Sequence, residues 1–199
     1  MSDSLDNGHI YSWLDDPKKV FAETGVILEG HFLLTSGKHS NRFMQCSQLL
    51  QYPEYVETVG SKMAAPFREQ GIETVIGPAM GGVILAYEVA RQLGARAIYA
   101  EPDGDKMVLK RGFKVDQGER VLVVEDAVST GGSVQKVIDL LRSLAAEPAG
   151  VSVIFDRSSG KVDFGLSTSS VFVMEIESYD PEECPMCKEG IPLEKPKEN

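Results

Sequence analysis

One stretch of the chain concentrates residue types that can do chemistry. From Val121 to Ser133 it reads Val-Leu-Val-Val-Glu-Asp-Ala-Val-Ser-Thr-Gly-Gly-Ser, an apolar run followed by two adjacent carboxylates and then small hydroxyl and glycine residues. A helix that opens on Ser129, Thr130, Gly131, Gly132 and Ser133 offers free N–H groups and hydroxyls to an anion. Glycines there let backbone approach a phosphate with no Cβ in the way. Glu125 and Asp126 cannot hold that same phosphate, because like charges repel. They suit hydrogen bonds from sugar hydroxyls, or contact with a metal ion. A phosphate cradle beside diol acceptors points to a ribose 5-phosphate. Taken singly, each half has a plainer reading, a capped helix start and a solvated strand end, and it is their combination that argues for a ligand.

Other phosphate and metal signatures are missing. Gly37-Lys38 is followed by His39 and Gly160-Lys161 by Val162, so the nucleoside-triphosphate loop is absent, and no G-x-G-x-x-G occurs. There is no H-E-x-x-H, and His9, His31 and His39 make no recognisable metal spacing. Cys46 stands alone, and Cys184-Pro-Met-Cys187 lies in an acidic, Pro-rich tail. One C-x-x-C supplies two ligands where zinc wants four, so a surface turn is expected there, with a zinc bridged across a dimer as the alternative.

These residues need elements to hold them. The chain has 199 residues, enough for one domain with an elaboration. The first fifty residues read as irregular, with a short helix near Pro17–Thr24 and extended pieces at His31–Thr35 and Arg42–Cys46. A helix starts at Pro53 and carries Val56, Val59, Met63 and Phe67 at helical spacing, with Pro66 expected to kink it or end it early. Strands are predicted at Glu73–Ile76, Arg96–Ala100, Arg120–Val124, Val151–Phe155 and Val171–Ile176. Helices are predicted at Val83–Leu93, closed by Gly94, and at about Gly131–Leu144. This alternation predicts the α/β class with a parallel sheet and right-handed crossovers, its ligands lying beyond the carboxyl ends of the strands.

The run ending in Glu125-Asp126-Ala127-Val128-Ser129-Thr130-Gly131-Gly132-Ser133 resembles the phosphoribosyl-pyrophosphate motif of the type I phosphoribosyltransferases. Gly30-His-Phe-Leu-Leu-Thr-Ser-Gly-Lys-His-Ser40, Gly77-Pro-Ala-Met-Gly-Gly82, Lys110-Arg111-Gly112-Phe113 and Phe155-Asp156-Arg157 extend the likeness toward the orotate-using branch of that family. The resemblance implies one domain over residues 1–199. Its parallel-sheet core would span about 50–176, with 1–49 and 177–199 as hood and tail. It also implies transfer of a phosphoribosyl group to orotate in pyrimidine (UMP) biosynthesis, Mg²⁺ held mainly through the phosphoribosyl pyrophosphate, and a homodimer with shared active sites.

Residue by residue, the resemblance implies that Ser129–Ser133 hold the 5-phosphate and that Glu125 and Asp126 hold the ribose hydroxyls. Ala79, Met80 and Gly81 would face the pyrophosphate. Many relatives carry a lysine in that turn, so backbone N–H groups are the donors expected here. Arg157 would take the orotate carboxylate, a match for its guanidinium fork, with Ser129 beside the pyrimidine. Phe43 would stack on the base, or else belong to the core. Thr35 stands where some relatives place a lysine, with Lys38 as a substitute. Lys106, Lys110 and Arg111 lie in a Gly- and charge-rich segment, 101–116, that would close as a mobile loop over the pyrophosphate of a neighbouring subunit, or else form a solvated hairpin.

Charge and composition bound the alternatives. There are 30 Asp+Glu against 20 Lys+Arg, a formal net charge of −10, which argues against nonspecific nucleic-acid binding. No run of apolar residues is long enough for a transmembrane helix, and the start has no secretory pattern, so a cytoplasmic protein is expected. A purine or uracil phosphoribosyltransferase would share the central motif. So would a regulator that senses phosphoribosyl pyrophosphate, though no segment is basic enough to serve as its DNA-binding module.

Overall fold

The computed structural model describes residues 12–34 and 36–195, and the chain divides into two compact units, Met1–Gln51 with Glu175–Asn199 and Tyr52–Met174. Thr35 lies outside the described residues.

The first unit opens with helix α1 (Lys18–Thr24), which stops where Gly25 takes a left-handed conformation. Strands β1 (Ile27–Leu33) and β2 (His39–Met44) form an antiparallel hairpin whose register shifts between Glu29 and Phe32. A single turn, α2 (Ser47–Leu50), follows and buries Leu49 and Leu50.

The second unit carries the sheet. Helix α3 (Pro53–Ala64) has its proline in the first turn, and a 3-10 turn at Ala65–Phe67 ends it around Pro66. Then come β3 (Thr74–Pro78), α4 (Gly81–Leu93), β4 (Arg96–Asp103), β5 (Lys106–Val108), β6 (Arg120–Val128), α5 (Gly132–Ser143), β7 (Glu147–Asp156) and β8 (Thr168–Val173). The sheet order is β5-β4-β3-β6-β7-β8, parallel throughout except for β5 against β4.

Alternation along β6 sorts its side chains between two cores. Val121 and Val123 join Val134, Val137, Ile138 and Leu141 of α5 in one cluster. Leu122 and Val124 point the other way, where α3 and α4 pack on the sheet. On that face the Ser152 hydroxyl donates to the Met63 carbonyl over 3.0 Å. A strand covered on both faces has to be apolar throughout, which is why residues 121–124 read as a continuous run.

The chain enters the sheet at β3, steps outward to β4, then returns to the other side of β3 to form β6. The loops after β3 and β6 therefore diverge, and the crevice between them is where ligands bind open α/β sheets.

The first unit is completed by helix α6 (Pro185–Lys188) and by two backbone bridges, Phe32 with Glu194 and His39 with Tyr179. Among the described residues, no helix is long and apolar enough to cross a membrane.

Candidate active site

β6 extends further than the sequence predicts. Pairing with β7 continues through Glu125 with Val153 and Ala127 with Phe155 to Val128 with Asp156, so the two carboxylates are part of the ladder. Glu125 is buried, and its carboxylate accepts a hydrogen bond from the Asp126 N–H at 3.0 Å. Burial, reinforced by the neighbouring Asp126 charge, raises the Glu125 carboxyl to about 8. Burial raises Asp126 as well. Neither has a cation beside it among the described residues. The pair, one carboxyl buried and one half-buried, thus lacks a counter-charge and can accept hydrogen bonds from a ligand.

Directly after it, Ser129 and Thr130 are exposed, and Gly131 turns with φ of 77° into α5. A Cβ on Gly131 would lie 2.7 Å from Val162 and 2.8 Å from Phe164, so glycine is required by space as well as by backbone angle. Helix α5 has no side-chain cap, and its first bond is Gln135 N–H to Gly131 C=O at 2.8 Å. The N–H groups of Gly132, Ser133 and Val134 consequently have no acceptor within the helix.

Across the crevice, the turn Ala79–Met80 links β3 to α4 through a cis peptide. The Met80 side chain is 82% exposed and offers no hydrogen-bond donor, so the polar groups of this turn are those of its backbone. Gly77 and Gly82 are in direct apposition, a Cβ on Gly77 falling 2.4 Å from the Gly82 carbonyl oxygen. Gly81 abuts Asp126, whose Oδ2 would lie 2.5 Å from a Cβ at that position. The two loops of the crevice touch through that glycine.

Arg157 follows β7, and its N–H donates to the Val128 carbonyl at 2.8 Å. Because Val128 pairs with Asp156, Ser129 and Arg157 emerge side by side from neighbouring strand ends. Asp156 holds the turn beyond Arg157. It accepts from the Ser158 N–H at 2.7 Å, the Ser158 hydroxyl at 2.6 Å and the Gly160 N–H at 2.9 Å. Burial would raise this carboxyl, but those three donors outweigh it and hold it low. The spacing Asp-x-Ser-x-Gly is the signal that could have found this anchor.

Lys106, Lys110 and Arg111 sit on and just beyond a short hairpin, β4 with β5, in the segment expected to be a mobile loop or a solvated hairpin. Arg111 adopts φ of 56° and its Nε donates to Glu101 at 2.9 Å, while Lys110 lies 3.9 Å from Asp103. Met107, Leu109, Phe113 and Val115 pack against the α5 side of the core, and Phe113 meets Tyr99 edge-on. Apolar residues interleaved with the charges anchor the segment.

Comparison with known proteins agrees with this geometry. The Phosphoribosyl transferase domain matches residues 45–177. The orotate phosphoribosyltransferase of Caldanaerobacter subterraneus subsp. tengcongensis is 55% identical over 178 residues, 89% of this chain and 94% of that one. That of Thermotoga maritima is 52% identical over 179 residues, 90% of this chain and 96% of its own. The chain belongs to the orotate phosphoribosyltransferase family. Among solved structures, the orotate phosphoribosyltransferase of Aeropyrum pernix superposes with a TM-score of 0.66 at 28% identity, covering 78% of this chain and 92% of that chain. An adenine phosphoribosyltransferase from Rhodothermus marinus shares the fold alone, with a TM-score of 0.58 at 20% identity over 67% of this chain and 87% of that chain.

The first unit holds the remaining residues of interest for an orotate phosphoribosyltransferase. Phe43 is half-buried on β2, its ring tilted against Phe32 at 5.9 Å. Lys38 reaches Asp180 at 3.3 Å. The expectation for the Cys184–Cys187 pair is overturned. No lone surface turn forms there, because both cysteines meet His31 and His39 within the same chain. Leu33 pairs with His39 in the hairpin, so His31 lies diagonally across from His39 on the same face. Motif spacing cannot reveal that arrangement, since two of these residues come from a hairpin and two from a segment about 150 residues further along the chain.

Proposed function

We propose that this chain transfers the 5-phosphoribosyl group of phosphoribosyl pyrophosphate to orotate, giving orotidine 5-phosphate and pyrophosphate in pyrimidine (UMP) biosynthesis. The observation that carries this reading is the junction of β6 and α5, where a buried Glu125 and a half-buried Asp126, with no cation beside them among the described residues, meet an uncapped helix start. Relatives named as orotate phosphoribosyltransferases, identical at about half of their positions, support it.

In this reading the N–H groups and hydroxyls of Ser129–Ser133 bind the 5-phosphate. The ribose hydroxyls donate to Glu125 and Asp126, replacing the proton that burial makes them retain. The Arg157 fork takes the orotate carboxylate, and Ser129 contacts the pyrimidine. For Phe43 we keep, as part of the proposal, the role of a stacking face for the base.

The bond from the anomeric carbon to pyrophosphate breaks as the orotate ring nitrogen bonds to that carbon. Positive charge grows on the ribose beside the carboxylates, and negative charge grows on the departing pyrophosphate. Backbone N–H groups at Met80 and Gly81 and the cations of Lys106, Lys110 and Arg111 oppose the latter charge, the Ala79 N–H being given to the Ala100 carbonyl at 2.8 Å. The proton on that ring nitrogen leaves to solvent as the new bond forms, and no general base is assigned.

Mg²⁺ fits the donor set, because the acid pair lacks a counter-charge and hard oxygen ligands suit that ion. Glu125 and Asp126 would hold it through the sugar hydroxyls, the ion resting mainly on phosphoribosyl pyrophosphate. When bound it neutralises pyrophosphate charge. The same proposal has a single functional domain with a hood, a cytoplasmic location, and a homodimer in which the basic hairpin serves the neighbouring subunit.

The test is pyrophosphate release from phosphoribosyl pyrophosphate with Mg²⁺ present. Release is expected with orotate and not with adenine, hypoxanthine or uracil. Equal release with any of these bases overturns the assignment.

A further inference from the structure

The first unit brings together two imidazoles and two thiols. His31 and His39 come from the hairpin, Cys187 from α6 and Cys184 from the position just before it. His31, His39 and Cys184 are buried. One ligand atom from each of the four residues lies within 4.8 Å of all the others.

The individual separations are those of a coordination sphere. His31 Nε2 is 3.0 Å from His39 Nδ1, 3.5 Å from Cys184 Sγ and 3.7 Å from Cys187 Sγ, and Cys187 Sγ is 3.3 Å from His39 Nδ1. A tetrahedral zinc with ordinary bond lengths sets its N···N edge at about 3.3 Å and its N···S edge at about 3.6 Å.

The tautomer of His31 points the same way. Its Nδ1 lies 2.8 Å from the Ile191 carbonyl, which can only accept, so Nδ1 carries the hydrogen. Nε2 then presents a bare lone pair to three neighbours at once. One lone pair accepts about one hydrogen bond, whereas a cation at the centre satisfies all four groups. A carbonyl on the far nitrogen is also the usual support for a metal-bound imidazole.

We propose that His31, His39, Cys184 and Cys187 form a structural zinc site that ties the C-terminal segment to the β1–β2 hairpin. The ligand set is closed, with four protein donors and none left for substrate, which is the pattern of structural zinc. Nitrogen and thiolate donors in this arrangement select zinc over Mg²⁺. The same two segments are already paired through their backbones. His39 and Tyr179 exchange N–H to C=O bonds of 2.8 Å, and Glu194 N–H donates to the His31 carbonyl at 2.7 Å. The metal would add a covalent-strength tie to a junction otherwise held by these backbone bonds. All four ligands lie outside residues 45–177, the stretch that matches the phosphoribosyl transferase domain.

The test uses full-length protein purified without a polyhistidine tag, supplied with zinc and dialysed. One zinc per chain is expected by elemental analysis. Cobalt in its place should give the intense visible bands of a tetrahedral site and a near-ultraviolet thiolate charge-transfer band. In Cys187→Ser that band should halve and zinc affinity should fall at least ~100-fold. His39→Cys keeps four ligands, so it should retain one zinc and strengthen the band, which guards against a variant that merely misfolds. A chelator should lower the melting temperature, with zinc and not Mg²⁺ restoring it. Less than about half an equivalent of zinc in the wild-type chain overturns the site. So does zinc retained equally by Cys187→Ser, or a Cys184–Cys187 disulfide in protein that takes up no metal. None of these readouts depends on phosphoribosyl transfer.

Discussion

The Oδ2 atom of Asp126 occupies the space that any side chain at Gly81 would need, since a Cβ there would stand 2.5 Å from it. This approach joins the loop after β3 to the end of β6 and fixes the distance between the proposed pyrophosphate and ribose sites. Gly81→Ala should therefore push either the turn or the carboxylate aside. A misplacement on the order of 1 Å can cost ~100-fold in rate. We expect kcat/KM for phosphoribosyl pyrophosphate to fall by ~10- to 100-fold while the melting temperature drops by only a few degrees. Steady-state kinetics and thermal melts check both parts.

Glu125 makes the ligand-free protein sensitive to pH. Its carboxyl is raised to about 8 by burial and by Asp126, above its value in the unfolded chain. The folded state thus holds a proton that the unfolded state has released between about pH 4.5 and 8. Stability contributed by this group is present below that window and is lost as pH rises through it. Glu125→Gln removes the penalty, so the variant should melt higher than wild type at pH 8.5, by the equivalent of ~1–2 kcal/mol, and nearly equally at pH 5. Its affinity for phosphoribosyl pyrophosphate should fall. Melts at the two pH values, with and without that ligand, are the measurement.

Arg157 emerges beside Ser129 because Val128 pairs with Asp156. If its fork holds the orotate carboxylate, Arg157→Ala should raise the orotate KM by ~30- to 100-fold, the scale of a charge-assisted bidentate bond. The KM for phosphoribosyl pyrophosphate should move less than ~3-fold. Equal changes in both would count against the role.

Asp156 acts through the turn that carries Arg157, with three donors converging on its carboxylate. Asp156→Ala should raise the orotate KM as well, by ~5- to 20-fold, with a smaller change in kcat. In the double variant with Arg157→Ala the two losses should be far from additive, because the positioning residue has nothing left to position. A double-mutant cycle on orotate KM reads this directly, and full additivity would separate the two residues.

Arg111 separates charge from backbone conformation. At φ of 56° an arginine carries a steric cost that glycine does not. Arg111→Gly should hold or raise the melting temperature while kcat falls by ~10-fold or more through loss of the cation. A variant with unchanged kcat would remove Arg111 from the pyrophosphate site.

Much of the second unit was legible in the sequence because its signals are local. The β6 run is apolar throughout because both its faces are covered, and Gly94 ends α4 because it can take a left-handed angle. The cradle at Ser129–Ser133 is likewise local, since a helix start offers the same N–H groups wherever it is placed. Strand ends were read short at Val124 and Ala100, because a charged or proline residue interrupts the apolar pattern although the backbone ladder continues past it. The charges of the basic segment mask the interleaved Met107, Leu109 and Phe113, so sequence alone leaves a mobile loop and a hairpin both open.

What only the tertiary structure decided are contacts between residues remote in sequence. Nothing in the local pattern shows that Gly81 yields its space to Asp126. Nor could spacing join His31 and His39 to Cys184 and Cys187, since hairpin register and chain return, rather than intervals along the chain, bring those atoms within 4.8 Å. Periodicity and turn chemistry report on neighbours a few residues apart. Sites assembled from distant segments exist only once packing has set their distances.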